Sequence, residues 1–489
     1  MRLTFSVVAM LALAGGALAQ NPAVVAARAY TETRHAELLQ QFEDFVAIPN
    51  VAADPAGLRR NAEYLLAQLK SRGVAAQLLT APGLAATVPP LVYGELKTPG
   101  ATRTIVFYAH YDGQPVTPSE WETPPFAPTL KTVDGEQRLY GRGTGDDKAS
   151  IMAQLTALSA LLAAKTPLKA NLRFVWEGEE EAGSDHLGQI LEAHKSLIGG
   201  DIWLVCDGPV DQTRQQLLVF GARGDAHVQI TLFGPAHPLH SGHYGNWAPN
   251  PAMELAQLLG SMKDAHGRVT IPHFYDGIAP LGKLELDALK AAPVNDELLR
   301  KEFVMGETMQ SPKRLLTLLN EPSLEVAGLS AGQTGTKATN SIPSRAVANL
   351  DLRLVVGIEA ATQQQRVVDY VAAQGYFVTR TEPTRDTLLS HASVAWVETP
   401  KGEDAARTRM DLPIAKDVVA AVESARGKTI LLPTSGGTVP LPTMERASGS
   451  PTISVPIANH DDNQHAANEN LRLKNLWDGV ETMAALMAM

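Results

Sequence analysis

Thr104-Ile105-Val106-Phe107-Tyr108-Ala109, followed at once by His110-Tyr111-Asp112, is the stretch on which the fold turns. The residues from Thr104 to Ala109 are uncharged and mostly β-branched or aromatic, as in a buried strand, and the charged groups begin where that strand ends. Downstream, apolar residues at helical spacing from Ala149 to Ala164 predict an amphipathic helix. Leu172–Trp176 reads as a second strand, His186–Ile198 as a helix and Ile202–Cys206 as a third strand. Helical spacing also marks Tyr30–Phe45 and Leu58–Leu69 upstream. Strands alternating with helices at this rhythm predict an α/β domain with a mostly parallel sheet covered by helices.

The pattern changes after Asp207. Asp225–Phe233 and Ala346–Val355 alternate apolar and polar residues, as half-exposed antiparallel strands do, while Pro251–Met262 and Thr362–Ala373 read as helices. This is an α+β unit inserted into the first domain. Pro383–Arg409 reads as a polar connection, and the α/β character resumes with a helix over Leu412–Ala425. The expected division is residues 20–223 and 406–489 for the α/β domain and 224–405 for the insertion.

The ends of the predicted strands carry the chemistry. His110 and Asp112 follow the first strand, and Asp146 and Asp147 follow a turn built on Gly141, Gly143 and Gly145. Glu179, Glu180 and Glu181 follow the second strand, and Asp207 follows the third. Functional groups of an open parallel sheet gather beyond the carboxyl ends of its strands, so these segments converge. Converging carboxylates repel and hold protons unless a cation compensates them. Imidazole with carboxylate and no thiolate suits Zn²⁺ or Mn²⁺.

Composition narrows the class. The chain has 489 residues, 45% hydrophobic and 19% charged, with a formal charge of -10 and no basic run, which argues against nucleic-acid binding. Residues 1–19 read as a cleavable export signal: Arg2, an apolar stretch from Leu3 to Ala14, then Ala17-Leu18-Ala19 before Gln20. The apolar stretch is short for a membrane anchor, so the expectation is a secreted or periplasmic protein with no membrane attachment after cleavage. Cys206 is the single cysteine; it closes no intramolecular disulfide and sits in an apolar run as buried filler.

Taken in order, these motifs resemble the M20 family of metallopeptidases, which includes carnosinase-like dipeptidases, bacterial glutamate carboxypeptidase and succinyl-diaminopimelate desuccinylase. The likeness is carried by His110-Tyr111-Asp112, the run Gly141 to Lys148, Glu177 to Ser184, Asp207, His240-Ser241-Gly242, and His465 followed by Asn468-Glu469. It implies two divalent ions, Zn²⁺ first, with Mn²⁺ or Co²⁺ compatible. His110 and His465 would each bind one ion, Asp146 would bridge them, and Glu181 and Asp207 would complete the two shells. Asp112 would orient His110, and Glu180 would be the general base. The insertion would be a lid and dimerisation domain, with His240 reaching the second subunit's site of a homodimer as oxyanion donor. Asn340-Ser341-Ile342-Pro343 resembles the family's N-x-I-P element, and Arg353 stands where the family places a carboxylate-binding arginine. The alternative for Arg353 is a pairing with Asp351. Ser435-Gly436-Gly437-Thr438 resembles the glycine-rich loop lining the substrate pocket, giving Gly436, Gly437 and Thr438 as substrate contacts.

The resemblance implies hydrolysis of a dipeptide or short peptide, the choice that Asp207 favours over the glutamate of the carboxypeptidase and desuccinylase branches. An N-acyl-amino-acid deacylase or carboxypeptidase uses the same machinery and is the alternative substrate class. A binding protein derived from a dead enzyme is disfavoured because no ligand or base is missing. Ala149 replaces the usual glycine, and Thr434-Ser435 replace the Arg-Glu pair of carnosinase-like members, which weakens transfer of their specificity. His35, His186, His194, His266, His273 and His391 read as surface or loop residues. His460 is a candidate for an outer contact. Asp147 reads as a helix cap and Lys148 as a neutraliser of nearby charge.

Overall fold

The structure is a computed structural model that describes residues 21–489. The expected export signal lies outside the described residues. Thr104–His110 forms the heart of an eight-stranded sheet, with Asn171–Glu177 parallel on one side and Ile202–Val205 parallel on the other. Thr452–Ser454 continues the parallel run beyond Ile202–Val205. One edge is finished by the antiparallel strands Leu91–Leu96 and Ala75–Leu79. The other ends in Leu217–Val219 and Ile430–Leu432, which are parallel to each other.

Both faces of the sheet are covered, which is why its central strands are apolar throughout. Ile105, Phe107 and Ala109 face the helices Pro22–Val46, Pro55–Ser71, Lys148–Ala163, Pro413–Arg426 and Leu473–Met487. Val106 and Tyr108 face the opposite layer, built on Leu187–Ala193 and Leu441–Ser448. Two sequence expectations change here. Lys148–Ala163 is buried from Lys148 to Leu158 and again at Ala160 and Leu161, so it is not amphipathic. It lies among the sheet, Pro22–Val46 and Leu473–Met487, so even its polar residues Lys148, Ser150, Gln154 and Thr156 are buried. The segment His186–Ile198 is two short helices, Leu187–Ala193 and Lys195–Ile198, separated at His194.

The insertion builds its own core. Gly224–Phe233 pairs along its whole length with Arg345–Leu354, and the sheet runs Ser323–Ala331, Arg345–Leu354, Gly224–Phe233, Val394–Glu398, Phe377–Thr379. Alternate residues Ala226, Val228, Ile230 and Leu232 bury against the helices Pro251–Ser261 and Ala360–Ala373. The stretch Pro383–Arg409 is not a plain connection. It contains the helix Arg385–Ser390 and the strand Val394–Glu398, whose short apolar alternation was hidden by polar flanks. Residues 281–319 leave this core and pack Leu289, Ala292 and Leu316 against Ile430 at the edge of the large sheet.

The chain crosses between the two cores twice, and the crossings pair: Ala222 lies opposite Ala406 and Gly221 opposite Arg407. The approach is close. A Cβ added at Gly221 would lie 2.2 Å from the Ala406 carbonyl oxygen, and one at Gly224 would lie 2.3 Å from that of Glu403. Because these obstacles are backbone, Gly224→Ala is expected to cost on the order of 1–3 kcal/mol in urea unfolding. Gly260→Ala, in a helix with open space around it, is expected to stabilise by roughly 0.5–1 kcal/mol. Equal midpoints for the two variants would refute this account of the crossing.

Candidate metal centre

Each acidic or imidazole group predicted at a strand end is delivered there by a different element. His110 closes the central strand, and its backbone pairs with Glu177 at the end of the next. Asp146 precedes the buried helix Lys148–Ala163, and its peptide bond to Asp147 is cis. Glu180 and Glu181 lie on a single turn after Asn171–Glu177, and Asp207 follows Ile202–Val205. His465 comes from the loop before Asn470–Arg472, a strand that returns the C-terminal segment to the site.

These groups meet around one carboxylate. Asp146 Oδ1 is 2.9 Å from His110 Nε2, and Asp146 Oδ2 is 3.2 Å from His465 Nε2. His465 Nε2 is also 3.2 Å from Glu181 Oε2, while His110 Nε2 is 4.0 Å from both Glu180 Oε2 and Asp207 Oδ1. Asp112 lies behind His110, 3.4 Å from Nδ1, and accepts the backbone N–H groups of Glu180 and Glu181 at 3.2 and 2.9 Å. One residue thus orients the histidine and the acidic turn together. Glu179 pairs with His186 at 2.8 Å, away from the cluster, which leaves Glu180 and Glu181 as the residues facing it.

The electrostatics show a deficit of positive charge. Burial raises Asp207 to about 6 and pushes Glu180 well above the carboxylate range, with Asp146 and neighbouring acids adding to both shifts. Burial alone would lower His110, but the Asp112 carboxylate beside its Nδ1 and the hydrogen bond with Asp146, together with the charge of Glu180, raise it well above its ordinary value. Hydrogen bonds to Asp146 and then Glu181 raise His465 to about 10. Neither nearby cation compensates, since Arg142 is held by Glu469 and Lys148 Nζ donates to the carbonyls of Phe45 and Ile48, each at 2.8 Å. Lys148 therefore anchors the first helix rather than neutralising the acids. His110, Asp146 and Glu181 bring ligand atoms within 4.8 Å of one another, as do His110, Asp147 and Asp207. The donor set and its unmet charge fit divalent metal ions.

Sequence reasoning left Gln464, Gln114 and Glu469 without a role and gave Asp147 a different one, as a helix cap. Gln464 Nε2 donates to Asp146 Oδ2 at 2.8 Å, and Gln114 Nε2 donates to Glu181 Oε2 at 2.7 Å. Asp147 occupies the cap position without a capping bond; its carboxylate accepts the His110 backbone N–H at 3.2 Å. Glu469 is fully buried and accepts from the turn that carries Asp146. Only its position after His465 hinted at this. His460 is exposed and joins no contact in the cluster.

The insertion supplies a second group of predicted residues. Arg353 Nε lies 3.3 Å from Asp351 Oδ2, the pairing named as the alternative, and Arg353 Nη1 also donates to Thr438 Oγ1 at 3.0 Å. Thr438 and Glu180 both line a cleft of about 710 Å³ between the two cores, with Asp225, Lys401 and Arg446. Gly436 and Gly437 lie two and one residues before Thr438 on the same exposed loop. His240 and Asn340 lie together elsewhere: Leu239–His240 pairs with Ser341–Ile342, and the Ser241 N–H donates to the Asn340 carbonyl at 2.9 Å. Both are exposed, and among the described residues no hydrogen bond joins either to the Asp146 cluster.

The raised histidines set a sign for metal binding. A ring whose pKa lies above 7 is protonated at pH 7 and must release its proton to act as a ligand. Loading the metal-free protein at pH 7 is therefore expected to release at least about one proton, from His465, whose pKa is raised to about 10, and apparent affinity should strengthen as pH rises. Calorimetry in buffers of different ionisation enthalpy measures the release; none released would mean the rings are neutral beforehand.

Residues 106–489 match the model of a family described as "Peptidase family M20/M25/M40". The chain is 26% identical over 480 residues to the human Beta-Ala-His dipeptidase, covering 93% of this chain and 90% of that protein. It is 27% identical over 473 residues to the Cys-Gly metallodipeptidase DUG1 of Candida albicans, covering 92% and 94%. Among solved structures, the M20 family metallo-carboxypeptidase Sso-CP2 of Sulfolobus solfataricus superposes with a TM-score of 0.76 at 26% identity, covering 92% and 98%. Human carnosine dipeptidase 1 superposes at 0.73 with 24% identity, covering 96% and 99%. With its strand-end histidine and carboxylates gathered as described and the match running from the central strand to the last helix, the chain belongs to peptidase family M20/M25/M40.

Proposed function

We propose that this protein hydrolyses dipeptides or short peptides with two divalent ions, Zn²⁺ first and Mn²⁺ or Co²⁺ as compatible alternatives. The observation that carries the reading is Asp146, with one oxygen facing His110 and the other facing His465. That is the arrangement a bridging carboxylate needs. His110, Asp146 and Asp207 would hold one ion, and Asp146, Glu181 and His465 the other. When bound, such a pair supplies a water of lowered pKa and a polarised scissile carbonyl. Glu180 borders the cleft without contacting either histidine closely, and its raised pKa suits a base that takes a proton from the attacking water and delivers it to the leaving amine. Asp112 keeps the His110 ring in place. Arg353, seated by Thr438, would grip a terminal carboxylate, with the loop of Gly436 and Gly437 and the Asn340 segment completing the pocket.

The dipeptidase names of the relatives support the substrate class. The fold of a metallo-carboxypeptidase favours the second reading, a carboxypeptidase or N-acyl-amino-acid deacylase with the same centre. Assays against dipeptides and N-acyl amino acids with each metal separate them; turnover of blocked substrates alone would support the second reading.

The position of His240, exposed and without a bond to its own chain's cluster, supports a homodimer in which it completes the neighbouring site. Glu180→Gln is expected to lower kcat/KM by roughly 10²–10⁴-fold with metal content unchanged. His240→Ala should also be inactive, while an equal mixture of the two inactive proteins, after subunit exchange, should recover about a quarter of wild-type activity because half the dimers gain one intact site. No recovery in exchanged dimers would place His240 outside the neighbour's site.

The pattern of residues 1–19 supports export to the periplasm or medium. Among the described residues no helix is long and apolar enough to cross a membrane. N-terminal sequencing of the mature protein is expected to begin at Gln20; a retained Met1 would refute cleavage.

A further inference from the structure

We propose that Glu469 is a positioning residue for the metal centre, locking the bridging carboxylate Asp146 and the loop that carries His465 to each other. The inference rests on reading Asp146 and His465 as metal ligands, and it assigns a role to a side chain that touches neither an ion nor the substrate.

The geometry is that of a clamp. Glu469 is fully buried. Its Oε2 accepts from Arg142 Nη1 at 2.7 Å and from the Gly143 N–H at 2.9 Å, and its Oε1 accepts from the Gly145 and Asp146 N–H groups at 2.8 and 3.0 Å. A turn whose successive N–H groups point at one carboxylate is a nest for an anion, and here the anion is a side chain from the far end of the chain. The same two segments are fastened again on either side. The Gly141 N–H donates to the Glu469 carbonyl at 3.0 Å, and Arg142 Nη2 donates to the Ala466 carbonyl at 3.1 Å. The Arg142 guanidinium also rests over the Trp121 ring, 5.2 Å from its centre.

The loop needs such a hold. His465 and Asn468 have φ of 61° and 62°, a left-handed conformation that a residue with a Cβ adopts rarely and keeps where its surroundings over-determine it. The His465 side chain is half exposed, so its own packing does little to fix it. The bonds to Ala466 and Glu469 constrain the backbone on its C-terminal side, while the Asp146 N–H bond constrains the carboxylate that His465 faces. Both ligands are thus aligned by one buried group.

Glutamine has the shape of glutamate but turns one acceptor into a donor. In this nest it would set an N–H against other N–H groups and leave the Arg142 guanidinium without its counter-charge. Metal-free wild type, Glu469→Gln, Arg142→Lys, Asp146→Asn and His465→Asn would be titrated with Zn²⁺ against a chromophoric chelator. Folding would be followed by circular dichroism and Co²⁺ coordination by visible absorption. Folded Glu469→Gln is expected to bind one of the two ions about 10–100-fold more weakly, with an altered Co²⁺ spectrum, and Arg142→Lys to shift in the same direction by less. Unchanged binding in Asp146→Asn and His465→Asn would overturn the metal-centre reading itself. Weakened binding in those two, with Glu469→Gln folded and within about twofold of wild type, would overturn the positioning role alone. Failure of both Glu469→Gln and Arg142→Lys to fold in the presence of metal would overturn it too, making the clamp a purely structural element.

Discussion

The carboxylates and the two imidazoles gathered around Asp146 set the terms for the rest of this molecule. Such a group opposes its own assembly: each acid raises the proton affinity of the next, and burial removes the water that would screen them. The nearest fixed cations are engaged elsewhere, Arg142 with Glu469 and Lys148 with two main-chain carbonyls. The cluster is therefore satisfied by protons or by metal, and whatever scaffold carries it must be rigid enough to hold like charges together in the interval.

A parallel sheet buried on both faces meets that demand. His110, the acidic turn and Asp207 stand at the ends of strands hydrogen-bonded to one another, so their spacing is set by the ladder rather than by loops. Asp146 stands two residues before a helix buried over most of its length. His465 is the exception, since it belongs to a loop and comes from the other end of the chain. The pairing of Asn470–Arg472 with Glu136–Tyr140 and the burial of Glu469 bring that loop to the sheet. The insertion is attached by two paired crossings with no space for a side chain at Gly221 or Gly224, which holds Arg353 against Thr438 across the cleft.

Much of this was legible because burial leaves a mark on composition. Strands covered on both faces appear as uninterrupted apolar runs with charged groups beginning where they end, which is how His110, the acidic run Glu179–Glu181 and Asp207 could be located; singling out Glu180 and Glu181 rested on the family resemblance. The same rule failed where context supplied the burial. Val394–Glu398 is short and lies between polar segments, so it read as a connection. Ala149–Ala164 read as amphipathic from its apolar residues at helical spacing, because the serine, glutamine and threonine between them look solvent-facing until the burial around them is known. Lys148 itself is buried because the carbonyls of Phe45 and Ile48 receive its protons, and no local pattern announces a partner a hundred residues away.

By itself, then, the order of residues determined the α/β class, the inserted α+β unit and the strand-end groups that converge, since periodicity and strand-end chemistry are local properties; His465 was named through the family resemblance. Tertiary structure alone decided which of them face each other: that Asp146 gives one oxygen to each histidine, that Asp112 holds both a ring and a turn, that Glu469 closes on the glycine-rich turn, and that His240 and Asn340 lie apart from the cluster. Those facts depend on chain ends meeting across a folded sheet, and distance along a sequence carries no measure of distance through a core.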